Sequence, residues 1–191
     1  MGGHGRSEGV VRLVVRGAVL AALTGAPLQV AAGEPPPDPG PSRELVKPVP
    51  QVRFHDLYSA KEVRAALRGA GERLAKPSCQ EVVSEFRDVA GRPLEDALKE
   101  LRAPADEYLQ NLLFYSDSAT KTCKTPRVLA FTTPGSRIVF VCQKQFRKAY
   151  RQDPPRAEFT IIHEMLHSLG LGENPPTPAH ITSRVVEHCR G

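Results

Sequence analysis

Apolar residues recurring every three or four positions mark out the helices of this chain, and two dense β-branched runs mark its best strands. Val63, Ala66, Leu67, Ala70 and Leu74 follow Ser59-Ala60-Lys61-Glu62, which has capping-box spacing, so a helix is predicted from about Ser59 to Ala75, where Lys76-Pro77 stops it. Val82 to Val89 is short and β-prone; it reads as a strand tied down by Cys79, with helix as the alternative. Past the break at Gly91-Arg92-Pro93, Leu94, Ala97, Leu98 and Leu101 predict a helix over Pro93 to Leu101. Tyr108, Leu109, Leu112 and Leu113 predict another from about Pro104 to Tyr115, followed by a loop over Ser116 to Thr120. Tyr108, Phe114 and Tyr115 are read as core rather than as the lining of a cleft, because aromatics at helical spacing usually pack inward. Arg127 to Thr133 and Arg137 to Cys142, separated by Pro134-Gly135-Ser136, predict a hairpin that is apolar on both faces, as a sheet covered by helices would be.

The last periodic segment sorts its faces cleanly. Asp153 stands where an N-cap belongs and Pro154 in the first turn. Phe159, Ile162, Leu166 and Leu169 then form a core stripe, while Thr160, His163, Glu164 and His167 share another side. Gly170 follows as a left-handed terminator, so the helix is expected over residues 154–169. Helices in separate runs around one hairpin imply an α+β domain, several helices packed on a short mixed sheet with the hairpin preceding this helix.

Composition changes the picture mainly at the N-terminus. Residues 1–32 combine an Arg-bearing start, an apolar run from Ala18 to Leu23 and small residues at Ala31 and Ala32, the build of a secretory signal with cleavage after Ala32. The run is broken by Thr24, Gly25 and Pro27 and is too short to span a bilayer, so no stable membrane insertion is expected once the signal is removed. Residues 33–52 are Pro-rich, with almost nothing to bury, and read as a linker or short propeptide. That leaves 53–191 as one domain. The formal charge is +5; Arg6, Arg12 and Arg16 against Glu8 account for +2 of it, so residues 33–191 carry only +3. With basic and acidic residues interspersed, as in Lys61-Glu62-Val63-Arg64, a nucleic-acid partner is not indicated. Four cysteines in an exported chain favour two disulfides. Cys123 and Cys142 flank the hairpin, so the expected pairs are Cys123–Cys142 and Cys79–Cys189; no CxxC pair supports cysteine-bound zinc.

Candidate chemistry concentrates in His163-Glu164-Met165-Leu166-His167-Ser168-Leu169-Gly170-Leu171-Gly172-Glu173, an HExxHxxGxxE run. Residues four apart on a helix share a face, so His163 and His167 can turn nitrogens to one metal ion while Glu164 reaches a water beside it. The bland alternative is a polar helix whose residues are merely satisfied by neighbours. Catalytic zinc takes three protein ligands and keeps one position open. The turn at Gly170-Leu171-Gly172 makes Glu173 the first choice for the third, with Glu187 and His180 as alternatives.

The run resembles the active site of the zincin metallopeptidases, in whose HExxHxxGxxH branch (metzincins) and Asp-bearing relatives the third ligand occupies the place of Glu173. With Met1 and Met165 its only methionines, the chain lacks the methionine turn of a metzincin. The other large branch takes a Glu from a later helix, where Glu187 stands. The resemblance implies a secreted or periplasmic zinc peptidase, one catalytic Zn2+ on His163, His167 and Glu173, Glu164 as general base, a peptide or protein substrate, and a monomer. It also implies that the Arg127–Thr133 strand is the substrate-facing edge, with Arg137–Cys142 its inner neighbour. Tyr150, His180, Arg184 and His188 are candidate oxyanion donors, while Thr160 or Ser168 as a serine-type nucleophile would leave the histidine spacing without a purpose. The rival reading is a secreted binding or structural protein whose helix is zinc-stabilised or metal-free, a role in which Glu164 has no use.

Overall fold

The computed structural model describes residues 50–191, so the signal reading of 1–32 and most of the linker reading of 33–52 lie outside the described residues. These residues form an α+β domain of eight helices packed on a four-stranded mixed sheet. Three parallel strands, β1 (Gln51–Arg53), β2 (Leu113–Asp117) and β4 (Ile138–Cys142), lie side by side, and β3 (Ala130–Thr132) closes the order β1-β2-β4-β3 as the antiparallel edge. The hairpin is therefore present, with its first strand at the edge and its second inside.

Helix α1 (Leu57–Leu74) starts two residues before the predicted capping box. Its cap is Asp56, whose carboxylate accepts from the backbone N–H groups of Tyr58 and Ser59, leaving Ser59 buried inside the first turn. The segment around Val82 is α2 (Pro77–Ser84), a helix rather than a strand: Pro77 occupies the first turn, and Cys79, Val82 and Val83 fall on one buried side. After α3 (Leu94–Leu101), the predicted helix from Pro104 divides. It is helical only over α4 (Ala105–Gln110), and the chain then enters the sheet as β2. Short α5 (Lys121–Lys124) precedes the hairpin, and α6 (Gln143–Gln152) leads from β4 to α7 (Pro154–Ser168). The chain closes with α8 (Pro178–Cys189).

Only one face of the sheet is covered among the described residues. Phe114, Val139 and Val141 point into the core, whereas Phe140 is 37% exposed and stacks on Phe131 with ring centroids 5.3 Å apart. The expectation of a doubly covered hairpin is thus corrected: aromatic neighbours shield one another on the open face.

Helix α7 is the centre of the molecule, packed against α1, α6, α8 and β3. Every residue from Ile161 to Ser168 is buried, including the polar face that its periodicity alone would have left to solvent. Both expected disulfides are formed, Cys123–Cys142 beside the hairpin and Cys79–Cys189 joining α2 to α8.

Candidate metal centre

Two structural stops shape the site. Asp153 caps α7 at its start by accepting from the Arg156 backbone N–H. At its end Gly170, at φ +112°, donates to the His167 carbonyl at 2.8 Å and Leu171 donates to the Leu166 carbonyl at 3.2 Å, the paired bonds of a Schellman turn. A Cβ at Gly170 would lie 3.0 Å from the Asp88 side chain, so both the backbone angle and the close approach demand glycine. The loop around Asp88 braces the turn, since Val89 donates to the Gly170 carbonyl at 3.0 Å and Asp88 bridges to Leu171. The turn then carries Glu173 back beneath the helix.

His163, His167 and Glu173 converge so that one donor atom of each lies within 4.8 Å of the others. The two Nε2 atoms are 3.0 Å apart, and Glu173 Oε1 lies 3.1 Å from His167 Nε2 and 3.8 Å from His163 Nε2. The outer nitrogens determine what the inner ones present. His167 Nδ1 lies 2.7 Å from the Leu171 carbonyl, which can only accept, so the Nδ1–H donates to it and the ring is held with Nε2 facing inward. His163 Nδ1 is similarly held by Thr182 Oγ1 at 3.0 Å. Burial, and secondarily the charge of His167, pushes the pKa of His163 down to about 3, so its ring is neutral. Two imidazole nitrogens and a carboxylate oxygen facing one point fit a tetrahedral ion bonded at ~2.0–2.1 Å, which would hold its ligand atoms about 3.3 Å apart.

Glu164 stands beside this group, 5% exposed, with one carboxylate oxygen buried and without a hydrogen-bond partner among the described residues. Burial first, then the charge of Glu173, raises its pKa to about 8, against a backbone hydrogen bond from Thr132 that works the other way. A cleft of about 700 Å³ runs past these groups, walled by β3 and its leader on one side and by α7 and α8 on the other.

The structure brings together His163, Glu164, His167 and Glu173. The other candidates lie elsewhere. Glu187 pairs with Arg184 on the surface of α8, and His180 is exposed with its ring edge-on to Phe86. Helix α8 and its C-cap turn Thr182, Val186 and Arg190 to the cleft, so Arg184 and His188, off that register, face α2 and share Glu85: Arg184 Nε at 2.7 Å and His188 Nε2 at 2.8 Å. Tyr150 packs against the core from α6. None of the four proposed oxyanion donors lines the cleft, and Tyr108, Phe114 and Tyr115 do not line it either. Thr160 and Ser168 spend their hydroxyls on the carbonyls of Arg156 and Met165 in their own helix. Thr182 and the Leu171 carbonyl, which orient the imidazoles, carry no local sequence signal, because the first comes from another helix and the second is backbone.

The Glu85 cluster gives a pH-dependent contribution. Arg184, with help from His188, holds the Glu85 carboxyl down to about 2 from its ordinary 4.5. A depressed pKa means stability present above pH 4.5 and lost as the pH falls toward 2. After solvent screening it is worth about 1 kcal/mol. Glu85→Gln should therefore be less stable than the wild type at neutral pH and converge with it near pH 2 in urea titrations; a gap that stays constant would show that the pair contributes nothing through charge.

Comparison of the chain with protein-family models, with curated proteins and with solved structures finds no match, so the reading of this centre rests on its own geometry.

Proposed function

We propose that the protein is an exported zinc-dependent peptidase of the zincin type, with one ion held by His163, His167 and Glu173 and with Glu164 as general base. The observation that carries this reading is the convergence of two oriented imidazoles and a carboxylate at one end of a cleft, with a buried glutamate next to them. The donor set of two nitrogens and one oxygen suits zinc and leaves a fourth position toward the cleft. Zinc bound there would supply Lewis acidity, acidifying a water and polarising a carbonyl.

The remaining work falls to the chain itself. Glu164, its proton affinity raised toward neutrality by burial, takes a proton at its carboxylate and returns it to the leaving amine. The Leu171 carbonyl and Thr182 hold the two rings in register. Among the described residues strand β3 pairs with β4 alone, so its other edge can bind an extended peptide by main-chain hydrogen bonds. Two disulfides fit a protein that works outside the reducing cytosol. No described helix is long and apolar enough to cross a membrane.

The test is metal content and turnover. The protein spanning residues 33–191, oxidised, should bind one zinc per chain and cleave an unstructured protein, and chelation should stop it. Glu173→Ala should weaken zinc binding by at least about a hundredfold and lose activity with it. Undiminished hydrolysis after chelation would sink the proposal, and a Glu173→Ala protein that keeps both zinc and activity would remove Glu173 from the ligand set.

A further inference from the structure

At the end of the cleft away from the metal-binding group, three arginines arrive from three different elements. Arg156 lies on α7 seven residues before His163, about 10 Å along the helix axis. Arg190 follows α8, eight residues beyond Thr182, with Val186 between them on the same face. The two helices run in opposite directions: Thr182 touches His163, while Arg73 bridges Glu158 of α7 to the Cys189 carbonyl of α8. Moving back along α7 from His163 therefore means moving forward along α8, and Arg156 and Arg190 meet at one end. Arg127 reaches the same end from the leader of β3, five residues before Thr132, whose backbone approaches Glu164.

Among the described residues none of the three guanidiniums forms an ion pair, although Arg73, Arg92, Arg147, Arg151 and Arg184 all do. Among the described residues Asp153 is the one acidic residue lining that end, and its carboxylate accepts from the Arg156 backbone N–H. Apolar Leu129, Phe159 and Val186 line the stretch between the arginines and the metal-binding group.

We propose that this basic end is a subsite for a carboxylate on the C-terminal side of the bond to be cleaved. The inference rests on the peptidase reading for the position of that bond, while the basic subsite itself does not. Antiparallel pairing is the more stable way to extend an edge strand. A peptide running antiparallel to β3 passes from the Thr132 end toward the Arg127 end, so its C-terminal portion meets the arginines. At about 3.3 Å per extended residue, 10 Å places the carboxylate on roughly the second or third residue past the cleaved bond, with an apolar residue before it. Planar guanidiniums suit a carboxylate because they bind it by two parallel hydrogen bonds.

The experiment uses the zinc-loaded Glu164→Gln protein for binding and the wild type for cleavage. The probes are otherwise neutral peptides with a Glu-Glu or Gln-Gln pair moved along the chain, each amidated or with a free C-terminus. Glu-Glu peptides should bind about tenfold tighter than their Gln-Gln counterparts. That advantage should shrink in high salt and vanish in Arg156→Gln/Arg190→Gln, but persist in Arg64→Gln, an exposed arginine on α1. Wild-type cleavage should leave the acidic pair at about the second and third residues past the cut. If neutral peptides bind tightly only with a free C-terminus, the subsite stands and the terminal carboxylate is its ligand. Equal binding of Glu and Gln peptides with either terminus, or an advantage that survives the double substitution, overturns the inference. Arginine-dependent binding without cleavage of any peptide keeps the subsite and overturns the peptidase reading instead.

Discussion

Glu164→Gln should fold, bind zinc and fail to hydrolyse, with turnover lowered roughly 10²- to 10⁴-fold, the range of a lost general acid-base. Glutamine preserves the shape of the side chain and leaves His163, His167 and Glu173 untouched, so metal stoichiometry should not change. Stability should move the other way from activity. In the metal-free protein burial raises the Glu164 pKa from 4.5 to about 8. A raised carboxyl pKa means the unfolded chain gives up its proton first, so stability declines as the pH climbs from 4.5 toward 8. Glutamine removes that penalty. The metal-free variant should therefore melt no lower than the metal-free wild type at pH 8. Full activity in the variant would refute the mechanism, and a lower melting temperature would show that Glu164 is structural.

Removing the Cys79–Cys189 bridge should have the largest effect on stability. It closes a separation of 110 residues, against 19 for Cys123–Cys142. Loop-closure entropy puts the longer bridge at about 4–5 kcal/mol and the shorter at roughly 3 kcal/mol. Against a total of about 5–15 kcal/mol for a domain, the first loss leaves little margin. It should also reach the candidate metal centre, because the bridge fastens α8, which supplies Thr182 to His163. Cys79→Ala/Cys189→Ala should show a guanidine midpoint well below that of Cys123→Ala/Cys142→Ala and bind zinc more weakly. If the two double variants denature together, chain entropy is not what this bridge contributes.

The fold was legible where local pattern and tertiary demand agree. Asp153-Pro154 and Gly170 bracket α7 because capping and left-handed termination are local chemistry. The hairpin was legible for the same reason, its turn residues and β-branched strands pointing one way. Strand β2 was not. Leu112 and Leu113 continue the helical spacing of Tyr108 and Leu109, and a short apolar run has no period that separates a buried strand from a buried helix. Its partners decide it: Leu113 pairs with Gln51 on one side and Ile138 on the other, both far along the chain. Around Val82 the reverse holds: β-branched residues that read as a strand, with helix as the alternative, are helical, with Pro77 in the first turn and Cys79, Val82 and Val83 on one buried side.

Of the candidate site, the sequence by itself determined the spacing of His163, Glu164 and His167 and the turn that presents Glu173, because 3.6 residues per turn and a glycine stop are properties of the local chain. Only the tertiary structure set Glu173, rather than Glu187 or His180, beside the two histidines, drew Arg184 and His188 away to Glu85, and brought Thr182 to His163. Those outcomes depend on which face of α8 meets α7 and which meets α2. Packing between elements distant in sequence sets that choice, and no window of the chain contains it.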